Sequence, residues 1–199
     1  GVLAPINNVV EIKVPTGGVI KDIKIEGGQA VKKGDPLFSL DDRSFRESLS
    51  SVRSQIGDLE DIRQSRLTQL ALVSQQYSLK KKNLTGKIDM QKDILERISR
   101  LADEGAMSDL QLLKQQEIFD ESLNRYDLLE TEEKEEILSL KQELSDIEYQ
   151  LSSKRSELMD KQIQLEYRVI YSPIDGTVFD VEPKAEGFVA SGNMPLMKI

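Results

Sequence analysis

The residue types best suited to recognising a partner lie in one short stretch, Arg97 to Gln111. Arg97 offers a planar fork of donors that could hydrogen-bond a partner's carbonyls or carboxylates. Leu101, Ala106 and Met107 offer small or soft apolar surface suited to an interhelical groove. Gly105 is a natural left-handed residue just past a helix end. Ser108 can cap the helix that follows, with Gln111 completing a capping box, and Met107 and Leu112 stand at staple positions. Each residue also has a plain structural use: Ser108 as a cap, Leu101 as seam packing, Arg97 as a solvated helix residue, and Ala106 and Met107 as turn filler.

Chemistry of other kinds finds little support. The chain has no cysteine and no histidine, which excludes thiol and imidazole catalysis, disulfides and the commonest zinc sites. Its many carboxylates fall on expected helix surfaces, where water leaves them ordinary. No glycine-rich loop opens a helix as phosphate binding requires, since Glu26-Gly27-Gly28 leads into a turn and strand. We therefore expect no catalytic residue, metal or cofactor. A net charge of −8 argues against a nucleic-acid partner.

The elements that must position the Arg97–Gln111 stretch follow from proline and glycine usage. No proline occurs between Pro36 and Pro173, and Gly57 and Gly86 are the glycines in that stretch before Gly105. This predicts a long helical middle between two β-rich ends. The break at Leu101–Gln111 divides it into arms of roughly equal length, each spanning roughly 90 Å at 1.5 Å per residue. Ile137, Leu144, Leu151, Leu158 and Leu165 recur every seventh residue, with Leu140 and Ile147 between them, which is a coiled-coil seam. Lys154 and Lys161 then take the alternate positions, so the seam weakens toward the β-ends. Leu49, Val52, Ile56 and Leu59 show matching spacing in the first arm. Thr131–Glu136 is expected to interrupt the seam, and Asn83, Thr85 and Gly86 to kink the first arm. Pairing about the turn sets residue i opposite roughly 212 − i. Lys80-Lys81-Lys82 then face the glutamates of Leu129–Glu136, although both runs also read as solvated faces.

The two ends repeat each other at an offset of 158: Pro15 with Pro173, Gly18 with Gly176, Ile20 with Val178, Asp22 with Asp180, Ile23 with Val181, Val31 with Val189, and Gly34 with Gly192. Alternation over Val19–Ile25 predicts a half-buried strand, and Glu26-Gly27-Gly28 and Lys33-Gly34-Asp35-Pro36 predict turns. Each end reads as about four short strands, too few to bury a core alone. The expected fold is α+β: a long antiparallel two-helix coiled-coil hairpin inserted into a split lipoyl-like β-sandwich. Its parts are residues 1–41 and 169–199 as the β-halves and 42–168 as the hairpin, with the tip at about 102–108.

At this point the chain resembles the HlyD-type membrane fusion proteins, or periplasmic adaptors. Val14–Asp42 is similar to that family's first lipoyl half and Val169–Val181 to its return segment. Arg97, Leu101 and Ser108 resemble its tip pattern. The resemblance implies a periplasmic adaptor that bridges an inner-membrane exporter to a TolC-like outer-membrane channel through the tip, assembled by family analogy as a ring of six copies. Hairpin length, the opening Gly1-Val2-Leu3-Ala4-Pro5 and the tip sequence look more like type I secretion, which implies an ABC exporter. The alternative is an adaptor of a multidrug or metal efflux pump. No run reaches the length of a membrane span, and we expect a piece of a longer, membrane-anchored protein. A lipoyl or biotin carrier is disfavoured because the helices occupy the turn where such domains hold their lysine, and Lys32-Lys33 lies in a different turn. A purely structural coiled coil would not explain the matched β-halves.

Overall fold

The computed structural model describes residues 9–199, so the Gly1–Pro5 opening lies outside the described residues. The described residues form two compact units: one runs to Ile56 and resumes at Ser153–Ile199, and the other is Gly57–Ser152.

The first unit holds eight short strands: β1 (Glu11–Lys13), β2 (Gly18–Ile23), β3 (Ala30–Val31), β4 (Pro36–Leu40), β5 (Val169–Tyr171), β6 (Gly176–Thr177), β7 (Val189–Ala190) and β8 (Pro195–Lys198). Every sheet joins strands from both ends of the chain. β1 pairs with β8, β3 with β6, and β5-β4-β2-β7 form a four-stranded sheet. All pairings are antiparallel. Ile12, Val14, Ile20, Leu37, Phe38 and Leu40 from one half meet Ile170, Val178, Leu196, Met197 and Ile199 from the other in one buried cluster. Neither half has such a core without its counterpart, as the number of strands had suggested.

The backbone hydrogen bonds repeat with the chain. Gly34 N–H donates to Ser172 O and Asn193 N–H to Val14 O, each at 2.8 Å; Lys24 N–H donates to Leu37 O and Glu182 N–H to Leu196 O. These pairs correct part of the sequence register. The offset is 158 up to Glu182 and 159 beyond it. Gly28 and Gly187 are left-handed equivalents, and the counterpart of Gly34 is Asn193 (φ 63), not Gly192. Ala190, not Val189, is the buried equivalent of Val31. One extra residue between Glu182 and Gly187 causes the slip. A loop absorbs it because the strands on either side keep their partners.

Helix α1 (Arg43–Asp103) and helix α2 (Asp109–Glu166) supply the rest. In the second unit they run antiparallel. Val73, Tyr77 and Leu140 are buried together, with Leu70, Leu129 and Ile137 packed against them. Leu144, Ile147 and Leu151 are also buried, as the heptad spacing requires. Arg63 meets Glu148, Arg66 meets Glu143, and Lys81 meets Glu133. These pairs agree with the expected register. At Thr131–Glu136 the helix continues but none of the six residues is buried, so the apolar seam is interrupted there as expected, and α1 runs through Asn83–Gly86 without the expected discontinuity. Isolated glycine and threonine weaken a long helix by less than its neighbours stabilise it. In the first unit Lys154 is half-buried and bridges to Glu157.

Candidate functional site

The apex is closed by hydrogen bonds that its sequence specifies. Gly105 takes φ 74. Its N–H donates to Ala102 O at 2.9 Å and the Ala106 N–H to Leu101 O at 2.8 Å. This is a Schellman-type cap, which satisfies carbonyls that the end of α1 leaves without helical partners. Ser108 then opens α2. Its backbone N–H donates to Gln111 Oε1 at 3.1 Å, and the Gln111 N–H donates to Ser108 Oγ at 3.4 Å. That is the reciprocal capping box. Met107 and Leu112 are both half-buried beside it.

The candidate residues divide by exposure. Arg97, Leu101, Gly105, Ala106 and Ser108 are exposed, and Met107 is half-buried. Arg97 has no salt bridge among the described residues, so its guanidinium is available to a partner. Two residues that sequence reasoning passed over are more exposed than Leu101: Leu110 at 74% and Leu113 at 57%, against 40% for Leu101. They sit in the first turns of α2, outside the heptad seam. An apolar residue off the seam next to a helix start was the signal that could have found them. Leu95, Ser99, Leu112, Leu113 and Gln116 line a shallow groove between the arms, flanked by Arg100 and Asp109. The tip thus presents apolar surface edged by mixed charge, on a turn whose shape is fixed.

Among the described residues no group of acidic side chains is placed to hold a metal ion. Lys32 and Lys33 are exposed in their turn. The Lys33 backbone N–H donates to Asp175 Oδ1 at 2.7 Å and the Lys32 N–H to Asp35 Oδ2 at 2.8 Å. No helix among the described residues is long and apolar enough to cross a membrane.

Comparison with known proteins follows the fold. No curated protein matches the chain. Solved structures of the same fold include the periplasmic adaptor protein EmrA, at 17% identity and a TM-score of 0.58, covering 97% of this chain and 72% of that one. The soluble domain of LipC, a membrane fusion protein of a type I secretion system, matches at 18% identity and TM-score 0.54, covering 96% and 99%. MacA from Actinobacillus actinomycetemcomitans matches at 23% identity and TM-score 0.55, covering 98% of this chain, which spans about half of MacA at 49%. The profile of the family described as "YknX, barrel-sandwich hybrid domain" matches residues 12–199. With a split β-unit, interleaved halves and a helical insertion all in place, the chain belongs to this barrel-sandwich hybrid family and has the fold of the HlyD-type membrane fusion proteins.

Proposed function

We propose that this chain is the adaptor segment of an export or efflux system, a structural part and not an enzyme, acting in the periplasm and linking an inner-membrane transporter to an outer-membrane channel. The hairpin tip is the docking surface in this reading. The observation that carries it is the apex itself: a turn closed by a Schellman-type cap and a capping box, with Arg97, Leu101, Leu110 and Leu113 left exposed around it. A surface ordered before binding loses little freedom on docking. One tip has small area, so a single contact is weak. A ring of copies, six by the family resemblance, would gain by avidity.

On the transporter side we take the adaptor of a multidrug or metal efflux pump ahead of the ABC exporter expected from the sequence. The opening residues that favoured secretion lie outside the described residues. The likeness to LipC, at 18% identity, carries fold and not transporter class.

The test uses the full-length protein. Arg97→Asp, Leu101→Ser and Leu110→Ser should each reduce export strongly while helicity and Tm stay close to those of the parent. Normal export by all three variants would move the docking surface away from the tip.

A further inference from the structure

The hairpin is not uniform along its length, and the change falls at one height. On the side of Val73 and Tyr77, large apolar residues are buried in the seam: Val73, Tyr77, Leu140, Leu144, Ile147 and Leu151. Between Lys81 and Glu133, by way of the tip, the one buried residue is Ser122, and the apolar residues of the seam, among them Leu84, Ile88, Ile98, Phe119 and Leu129, are only half-buried. Polar pairs cross the seam among these half-buried layers and at its edge. Lys81 Nζ donates to Glu133 Oε2, Tyr77 Oη donates to Glu136 Oε2 at 2.9 Å, and the Gln115 amide donates to Gln91 Oε1 at 2.6 Å.

Just tipward of Lys81 the arms leave a groove lined by Asn83, Leu84, Lys87, Arg125, Leu128 and Leu129, among others. Both helices carry a weak point at this height. In α1, Thr85 Oγ1 donates to Lys81 O at 2.9 Å, and Gly86 follows with nothing within 4 Å of where its Cβ would lie. In α2, Thr131 Oγ1 donates to Asp127 O at 3.0 Å. Such back-bonding competes with the helical ladder and tends to bend it. Glycine costs helix stability because the unfolded chain has more freedom to lose.

We infer that residues 81–87 of α1 and 127–133 of α2 form a flexural joint: a short two-helix segment that opens locally, well below global unfolding, and lets the tip segment bend. Four features meet there: the end of the fully packed apolar seam, a charged cross-arm layer, a groove between the arms, and a paired weakness in the two helices. Stability in a folded chain is unevenly distributed, and segments with few buried contacts open first. This inference does not depend on what the tip binds.

Amide hydrogen exchange on the 199-residue chain tests it. Amides of 83–87 and 127–131 should exchange about tenfold faster than those of 70–77 and 140–147. They should also exchange faster than those of 91–95, closer to the tip. Gly86→Ala fits without a clash and should slow exchange at the joint by about fivefold, leaving 70–77 unchanged. Uniform exchange along α1, a smooth rise toward the tip with no local maximum, or a Gly86→Ala variant with unaltered exchange would each overturn the joint.

Discussion

The guanidinium of Arg168 lies over the ring of Phe45, 3.8 Å from its centroid, so the residue just past the end of α2 is stacked on the first turn of α1. Arg168 Nη1 also donates to Gly17 O at 3.1 Å, while its Nε is buried without a hydrogen-bond partner among the described residues. A Cβ added at Gly18 would stand 2.7 Å from Nη1. Gly18 and Arg168 therefore share one space. Gly18→Ala should destabilise the parent chain, and the same change should cost much less in an Arg168→Ala background. Urea denaturation of the four proteins should give a coupling of about 1 kcal/mol or more. Additive effects would show that the side chain simply moves aside.

Lys81 and Glu133 are both less than one-third exposed, and their ion pair crosses the hairpin. Lys81→Glu should bring like charges together and cost about 1 kcal/mol. The exchanged pair, Lys81→Glu with Glu133→Lys, should recover at least half of that loss. If the exchanged pair were no better than the single variant in a denaturant titration, the pair would not be setting the register.

The Asp41 carboxyl is held down to about 2, chiefly by hydrogen bonds from the Arg43 guanidinium and then by the Arg43 backbone N–H. Its folded pKa is below the unfolded value of about 3.9. The stabilisation is therefore whole above about pH 4 and is lost as pH falls toward about 2. Comparing urea midpoints of the parent and Asp41→Asn from pH 6 to pH 2 isolates this group. The parent should be the more stable at pH 6, and the difference should shrink toward pH 2.

Because β1 to β4 pair across to β5 to β8, removing Val169–Ile199 should leave the first half without a core. The remaining strands should lose protection from limited proteolysis while α1 and α2 keep helical circular dichroism. A protease-resistant N-terminal half would contradict the interleaved core.

Much of this architecture could be read from residue spacing, and the failures are as informative as the successes. Gly105, Ser108 and Gln111 announced the turn because caps are local chemistry that tertiary packing rarely overrides. The heptads at Ile137–Leu151 announced the seam for the same reason. The repeat between Pro15 and Pro173 showed which halves belong together, but identity of letters misled beyond Glu182. Val31 and Val189 match in sequence, yet Ala190 fills the buried place. A one-residue loop difference is invisible to a fixed offset. Asn83 to Gly86 were expected to kink or interrupt α1, and the helix is continuous there, because propensity alone cannot break a helix held on both sides. Of the tip surface, Arg97 and Leu101 were read from the sequence, whereas Leu110 and Leu113 were passed over, since they lie off the periodic seam and only their place at the start of α2 marks them. Arg168 gave no signal either, because its partners Phe45 and Gly17 are over a hundred positions away in sequence.

The pairing of Leu40 with Arg168, through the Leu40 N–H and the Arg168 carbonyl, has a kinetic consequence. The two residues are 128 positions apart (168 − 40). Closing a loop of that length from an unstructured chain costs about 4 kcal/mol in its length-dependent part alone. During synthesis the strands up to Leu40 emerge long before their partners exist. A hairpin that zips from Gly105 outward makes contacts between residues adjacent across the turn first, and each further turn of helix shortens the remaining gap. In that order of events the apex would be the folding nucleus and the β-unit would form last. Substitutions that loosen the Ser108–Gln111 box should slow refolding more than they speed unfolding, whereas those at Phe38 or Leu196 should do the reverse.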